Sequence, residues 1–210
     1  MSEIIEFFSR LHNLEDLIRW GGYTVLAVIV FAESGLLIGF FLPGDSLLVT
    51  AGLLASQGYL NIWELWILLS VMAIAGDSVG YYFGKVTGPK IFTREKSILF
   101  NKDHLLRAQA FYEKHGGKTI VLARFMPIIR TFAPIIAGVG KMPYRKFVTY
   151  NVVGGIGWVT LTLGLGYFLG RVIPDASKYL HWIIIAVIFI SISPGVIAWL
   201  RERNKRTSRT

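Results

Sequence analysis

The chain has no cysteine, which excludes disulfides, thiolate metal sites and thiol catalysis. Histidine is scarce too: His12, His104, His115 and His181 show no metal-ligand spacing, so neither a metal nor another cofactor is expected. No Asp/His/Ser constellation of hydrolytic type is present, so an enzyme, for example a lipid phosphatase, is the least supported class. Acidic residues are outnumbered 13 to 22 by lysine and arginine, giving a net charge of +9. Residues 1–19 lack the basic start and small-residue cleavage site of a signal peptide and carry Glu3, Glu6, Glu15 and Asp16 instead. Ile4, Ile5, Phe8, Leu11, Leu14 and Ile18 recur there at helical spacing, which predicts an amphipathic helix.

Apolar residues are abundant, at 53% of the chain with a mean hydropathy of +0.53. They are concentrated in runs at about 20–42, 62–84, 147–170 and 179–200, with shorter, broken runs near 46–56 and 119–140. Together with the high net charge, this predicts an all-α integral membrane protein forming one domain over 1–210, with no room for a second, soluble one. A helix needs about 20 residues to cross ~30 Å of hydrocarbon. The segments 62–84, 147–170 and 179–200 meet that length. Residues 20–31 fit either a partial span or the long first arm of a hairpin.

Two apolar stretches carry charges and prolines where an ordinary span has neither. One runs from Glu33 to Leu42-Pro43-Gly44-Asp45, the other from Arg124 through Pro127 and Arg130 to Pro134. An ionisable side chain at membrane depth costs roughly 2.5–3.5 kcal/mol on insertion scales, so four of them are expected to pair or to line a cavity. Pro43, Gly44, Pro127 and Pro134 are expected to break the helices, because proline removes a backbone donor and disrupts the preceding turn. Irregular backbone at that depth survives only inside protein or beside a cavity. Residues 32–56 and 119–140 are therefore predicted to form re-entrant hairpins.

The basic residues support that topology. With the hairpins not crossing, segments 85–118, 141–146 and 201–210 fall on one face and hold sixteen of the 22 lysines and arginines. The other face has only Arg10, Arg19, Arg171 and Lys178. The rich face, and with it the C-terminus, is predicted to be cytoplasmic. The five basic residues of the tail 201–210 are an ordinary juxtamembrane anchor, and nucleic-acid binding is not expected. Residues 101–115 form a basic amphipathic pattern suited equally to anionic headgroups or to a solvated linker helix. Trp20, Trp63, Trp66, Trp182 and Trp199 lie near span ends as interfacial anchors. Lys85 and Arg171 are expected to end their spans and to snorkel.

The chain also repeats. Ala51-Gly52 and Ala137-Gly138 are 86 positions apart (137 − 51), and so are Gly80-Tyr81-x-x-Gly84 and Gly166-Tyr167-x-x-Gly170 (166 − 80). Each copy holds one hairpin and one span, about 20–85 and 116–171, followed by a C-terminal span at 179–200. One net crossing per copy inverts the second relative to the first, and inverted repeats with broken helices meeting near mid-membrane are typical of secondary transporters. Val30-Phe31-Ala32-Glu33 echoes Val121-Leu122-Ala123-Arg124 once a small gap is allowed. On this alignment Glu33 corresponds to Arg124 and Asp45 lies opposite Arg130, so oppositely charged tips are predicted to meet.

The same residues resemble the DedA family of bacterial inner-membrane proteins, related to the wider SNARE-associated or VTT-domain group. The resemblance rests on Phe31-Ala32-Glu33, Leu42-Pro43-Gly44-Asp45, Gly76-Asp77-x-x-Gly80-Tyr81-x-x-Gly84-Lys85, and Phe111 to His115-Gly116-Gly117. It continues through Ala123-Arg124-Phe125-x-Pro127-x-x-Arg130-Thr131, Ala137-Gly138 and Asn151-x-x-Gly154-x-x-x-Trp158, and so covers nearly the whole chain. It implies proton-dependent transport of lipids, with undecaprenyl phosphate or a phospholipid such as phosphatidylethanolamine as substrate. It also implies that Glu33, Asp45, Arg124 and Arg130 form the site. Self-association into a homo-oligomer is left open.

The chemistry of those four residues fits. Guanidinium stays charged and offers a planar fork to phosphate oxygens, and half-helix N-termini at a hairpin tip add dipolar attraction for the same anion. The bland alternative is that the arginines only neutralise Glu33 and Asp45. Those acids can exchange protons, since burial favours the protonated carboxyl and a nearby arginine the ionised one. Asp77 is a candidate for a further proton site, or for a bond across a helix interface. The glycine pairs at 80/84 and 166/170 are expected to permit close helix packing. A proton-coupled ion antiporter using the same four charges is the competing function.

Overall fold

The computed structural model describes residues 14–36, 42–91 and 116–172. The regular elements among them are six helices: α1 (Leu14–Gly35), α2 (Gly44–Ser56), α3 (Ile62–Ile91), α4 (Lys118–Arg124), α5 (Pro127–Val139) and α6 (Tyr144–Val172). Most of the expected N-terminal amphipathic helix, the tip residues 37–41, the helix over 101–115, the C-terminal span at 179–200 and the basic tail lie outside the described residues.

Among the described residues, three helices are long and apolar enough to cross a membrane: Leu17–Gly35 of α1, Ile62–Gly88 of α3, and all of α6. Residues 20–31 thus belong to a helix that runs on to Gly35, with one kink at Gly22 (φ 52°, ψ −139°), a conformation open to glycine and little else. The face of α1 turned inward carries Leu17, Ile18, Leu26, Ile29 and Val30, all buried, at the spacing of a helical stripe. α3 starts where Asn61 accepts from the Trp63 N–H at 2.9 Å, an N-cap. Tyr23 ties α1 to that corner by accepting from the Asn61 N–H at 2.9 Å.

α2 and α5 have 13 residues each, or ~20 Å at 1.5 Å per residue, too short to span alone. α2 is buried along nearly its whole length, as a helix apolar all round should be. Pro43 immediately precedes α2. Pro127 opens α5, where a missing N–H costs nothing. Pro134 differs from expectation: it lies inside α5 and does not interrupt it. Its ring removes the N–H that would bond the Arg130 carbonyl, and Gly80 of α3 leaves room beside it, so the helix continues. Lys85 differs too. α3 runs on to Ile91, so the lysine sits exposed on the helix rather than at its end.

The packing is reciprocal. The most extensive contacts are α2 on α6 and α5 on α3, followed by α1 on α3. A methyl group on Gly52 would run into the Leu163 carbonyl and Tyr167 nitrogen of α6, and one on Gly138 into the Tyr81 carbonyl and Lys85 nitrogen of α3. In the same way Gly166 lies against the Val49 carbonyl and Gly84 against that of Ile135. Gly84 therefore takes the role of Gly166, one helical turn away from the Gly80–Gly166 match read in the sequence.

The bundle is apolar outside and charged inside. Val28, Ile67, Val71, Val86, Leu122, Val153, Leu161 and Phe168 are exposed, whereas Glu33, Asp77, Arg124, Arg130 and Asn151 are buried. Water as the outer solvent would favour the reverse. A hydrocarbon solvent accounts for it.

Candidate functional site

Every one of the six helices sends a polar or charged side chain to a common buried region. Glu33 closes the last turn of α1, Asp45 opens α2, Asp77 sits in mid-α3, Arg124 ends α4, Arg130 lies one turn into α5, and Asn151 and Trp158 come from α6. The two helix breaks explain why such residues can gather here. The ends of α1 and α4 and the starts of α2 and α5 bring side chains to depths that an unbroken span would fill with apolar ones.

The region divides into two clusters. In the first, Arg130 donates from Nη1 to Asp45 Oδ1 at 2.6 Å and pairs through Nη2 with Glu33 Oε1. Trp158 donates its indole N–H to the same Asp45 oxygen at 2.8 Å. Its ring centroid is 4.7 Å from the Arg130 guanidinium carbon, within cation–π range. Gly44 lets α2 approach α1, since a methyl there would begin 2.9 Å from the Glu33 carboxyl carbon.

In the second cluster, Arg124 Nη1 bonds Asp77 Oδ2 and donates to Asn151 Oδ1 at 3.0 Å. The Asn151 amide donates in turn to the Ile74 carbonyl at 3.0 Å, which fixes its orientation. Gly154 and Gly155 of α6 lie beside this arginine. The Trp158 ring links the clusters, with the Arg124 guanidinium carbon 5.6 Å from its centroid.

Both arginines are more than nine-tenths buried, as are Glu33 and Asp77. Three carboxyls face two guanidiniums, so with all ionised the region carries one excess negative charge. Some donors stay unused: Arg124 Nε and Nη2 and Arg130 Nε are buried with no hydrogen-bond partner among the described residues. Buried polar groups are normally satisfied.

Of the residues singled out in the sequence, Glu33, Asp45 and Arg130 come together as expected. Arg124 does not bond those acids; it is held by Asp77, an ion pair that joins α3 to α4. Asn151 and Trp158 belong to the site, although the sequence reading gave them no role. The available signals were an amide in the middle of an apolar run and a tryptophan far from either span end, unlike the interfacial ones.

Comparison with known proteins agrees with the membrane reading. The VTT domain family model matches residues 42–168. The chain belongs to this family, the DedA family of membrane proteins. It is 48% identical to Protein DedA of Escherichia coli strain K12, over 96% of this chain and 94% of that protein. An uncharacterized membrane protein of Mycobacterium leprae, ML0287, is 44% identical over 87% of this chain and 82% of its own length. The inner membrane protein YqjA of Escherichia coli K12 is 36% identical over 75% of this chain and 71% of its own length. No solved structure matches the chain. The family match spans Asp45, Asp77, Arg124, Arg130, Asn151 and Trp158, and Glu33 lies just before it. The protein is a multi-pass membrane protein, and its described part is helical throughout its regular structure.

Proposed function

We propose that this protein is a transporter that moves a lipid phosphate, undecaprenyl phosphate or a phospholipid, across the bacterial inner membrane in a proton-dependent cycle. One observation carries the reading. Four charged side chains from four helices, Glu33, Asp77, Arg124 and Arg130, are buried in an apolar bundle beside the half-buried Asp45 of a fifth, with guanidinium N–H groups left over. Charges at this depth are costly and are kept where they act. Phosphate oxygens are the acceptors that a guanidinium fork matches.

The excess carboxyl supplies the proton link. An anion that draws on an arginine weakens that arginine's hold on its carboxylates, and a carboxylate left without a partner favours protonation. Proton uptake therefore accompanies anion binding. The short helices α2 and α5 support a pair of re-entrant hairpins, and their reciprocal packing on α6 and α3 supports an inverted repeat. In such folds the two halves rock about a central site. The basic-residue segregation supports a cytoplasmic C-terminus, and a relative named as an inner membrane protein supports that location.

The test is movement of undecaprenyl phosphate between leaflets of proteoliposomes, with phosphatidylethanolamine as comparison, in the unmodified protein and in Arg130→Ala. Selective movement of the polyprenyl phosphate, lost in the variant, is the expected result. Movement of neither lipid by folded protein, together with cation-driven proton flux, would replace this reading with the ion antiporter.

A further inference from the structure

The two arginines of the site differ in what they have left to give. Arg130 divides its outer edge between two acids, with Nη1 on Asp45 and Nη2 on Glu33, and only Nε remains. Arg124 concentrates its bonds on a single nitrogen, because Nη1 serves both Asp77 and Asn151. Its Nε and Nη2 are both buried and unpaired among the described residues. Those two N–H groups lie side by side on one edge of the guanidinium, the fork that binds two oxygens of one phosphate.

The surroundings favour the same arginine. Arg124 faces one carboxylate and Arg130 faces two, so the local charge is balanced at the first and negative at the second. An incoming anion is repelled from the Arg130 cluster unless an acid there is neutralised. Asn151, anchored on the Ile74 carbonyl, holds the Arg124 guanidinium in one orientation, so little freedom is lost on binding. Between Asn151 and Trp158, α6 presents only the bare backbone of Gly154 and Gly155 to it. A methyl on Gly155 would begin 3.0 Å from the Ile74 side chain and 3.6 Å from the guanidinium carbon and from Nη2, and one on Gly154 3.3 Å from the Val121 backbone and 3.5 Å from Arg124 Cδ.

We propose that Arg124, oriented by Asp77 and Asn151 and bordered by Gly155, is the phosphate seat, and that Arg130 is a latch held by Glu33 and Asp45 rather than a binding group. The assignment rests on the lipid-phosphate reading above and divides its site into a seat and a latch. Trp158, whose ring lies within cation–π range of both guanidiniums and whose N–H bonds Asp45, is the contact through which occupancy of the seat reaches the latch.

The experiment titrates the purified full chain in detergent with farnesyl phosphate, a short prenyl monophosphate. Farnesol serves as the phosphate-free control and inorganic phosphate as the competitor. Lysine keeps the charge but loses the fork, so Arg124→Lys is expected to weaken farnesyl phosphate binding on the order of tenfold or more. Arg130→Lys is expected to shift it by less than about threefold while abolishing transport in vesicles, since losing the acid-paired fork disables the latch. Should Arg124→Lys fail to fold, Gly155→Ala carries the test with both arginines intact, and it too is expected to weaken binding. Equal losses in the two lysine variants, or a loss confined to Arg130→Lys, would overturn the assignment. If inorganic phosphate binds in an Arg124-dependent way and farnesyl phosphate binds no better than farnesol, the seat stands and the lipid reading fails. If the unmodified protein binds no phosphate compound at all, both fail.

Discussion

Trp158 donates its indole N–H to Asp45 at 2.8 Å while the ring of the same residue lies against the Arg130 guanidinium, 4.7 Å from centroid to carbon. One side chain thus orients the acid and faces the base of the same ion pair. Trp158→Phe keeps an aromatic ring and removes the hydrogen bond. It is expected to cost about 1.5–3 kcal/mol of stability, the range for a hydrogen bond to a charged group, and to slow transport. Trp158→Ala also opens a cavity and is expected to cost about 3–5 kcal/mol. Thermal unfolding in detergent measures both.

Removing one partner from the latch should be worse than removing two. Arg130→Ala leaves the buried Glu33 and the half-buried Asp45 without their cation, and breaking such a pair costs on the order of 3–5 kcal/mol. Adding Glu33→Gln to that variant removes one orphaned charge and should restore part of the loss. A double-mutant cycle on unfolding midpoints reads the coupling. Additive effects would contradict the pairing.

Asp77 is the counter-charge of Arg124, so Asp77→Asn should lower stability by about 3 kcal/mol through an uncompensated buried guanidinium. A residue that only carried protons would tolerate the amide, which mimics its protonated form. Unfolding midpoints of Asp77→Asn and Asp77→Glu separate the two roles, with the glutamate variant expected to lie nearer the unmodified protein.

The glycines of α6 should divide sharply. Gly166 meets the Val49 backbone, whereas nothing lies within 4 Å of a methyl on Gly164. Gly164→Ala is expected to be neutral or to stabilise by up to about 1 kcal/mol, as alanine does in a helix interior. Gly166→Ala is expected to cost about 1–3 kcal/mol through overpacking. The ratio of folded to aggregated protein after heating is a sufficient readout.

Much of this architecture is legible in the sequence. The prolines at 43 and 127 mark breaks because each sits where a helix begins, and the charges around them stand out against apolar neighbours. Pro134 was misleading because a proline inside a helix and one at its end look alike in sequence, and only the space left by Gly80 distinguishes them. The pairing of Arg124 was hidden for a related reason. Aligning the halves set it against Glu33, whereas its partner, Asp77, lies in a long span whose register the alignment does not fix. The one-turn offset between Gly84 and Gly166 has the same origin, since moving by four residues keeps a helix on nearly the same face. Asn151 and Trp158 carry no charge, so although they stand in one of the motifs that carry the family resemblance, the charge pattern gives them no role in the site.

The central claim is that one buried cluster, with three carboxyls for two guanidiniums, couples proton movement to passage of a lipid phosphate. The most direct test is the rate of undecaprenyl phosphate translocation in proteoliposomes at a fixed membrane potential, with and without a pH gradient. A faster rate with the gradient, abolished by Glu33→Gln, is the outcome the account predicts. Equal rates with and without it would contradict the coupling.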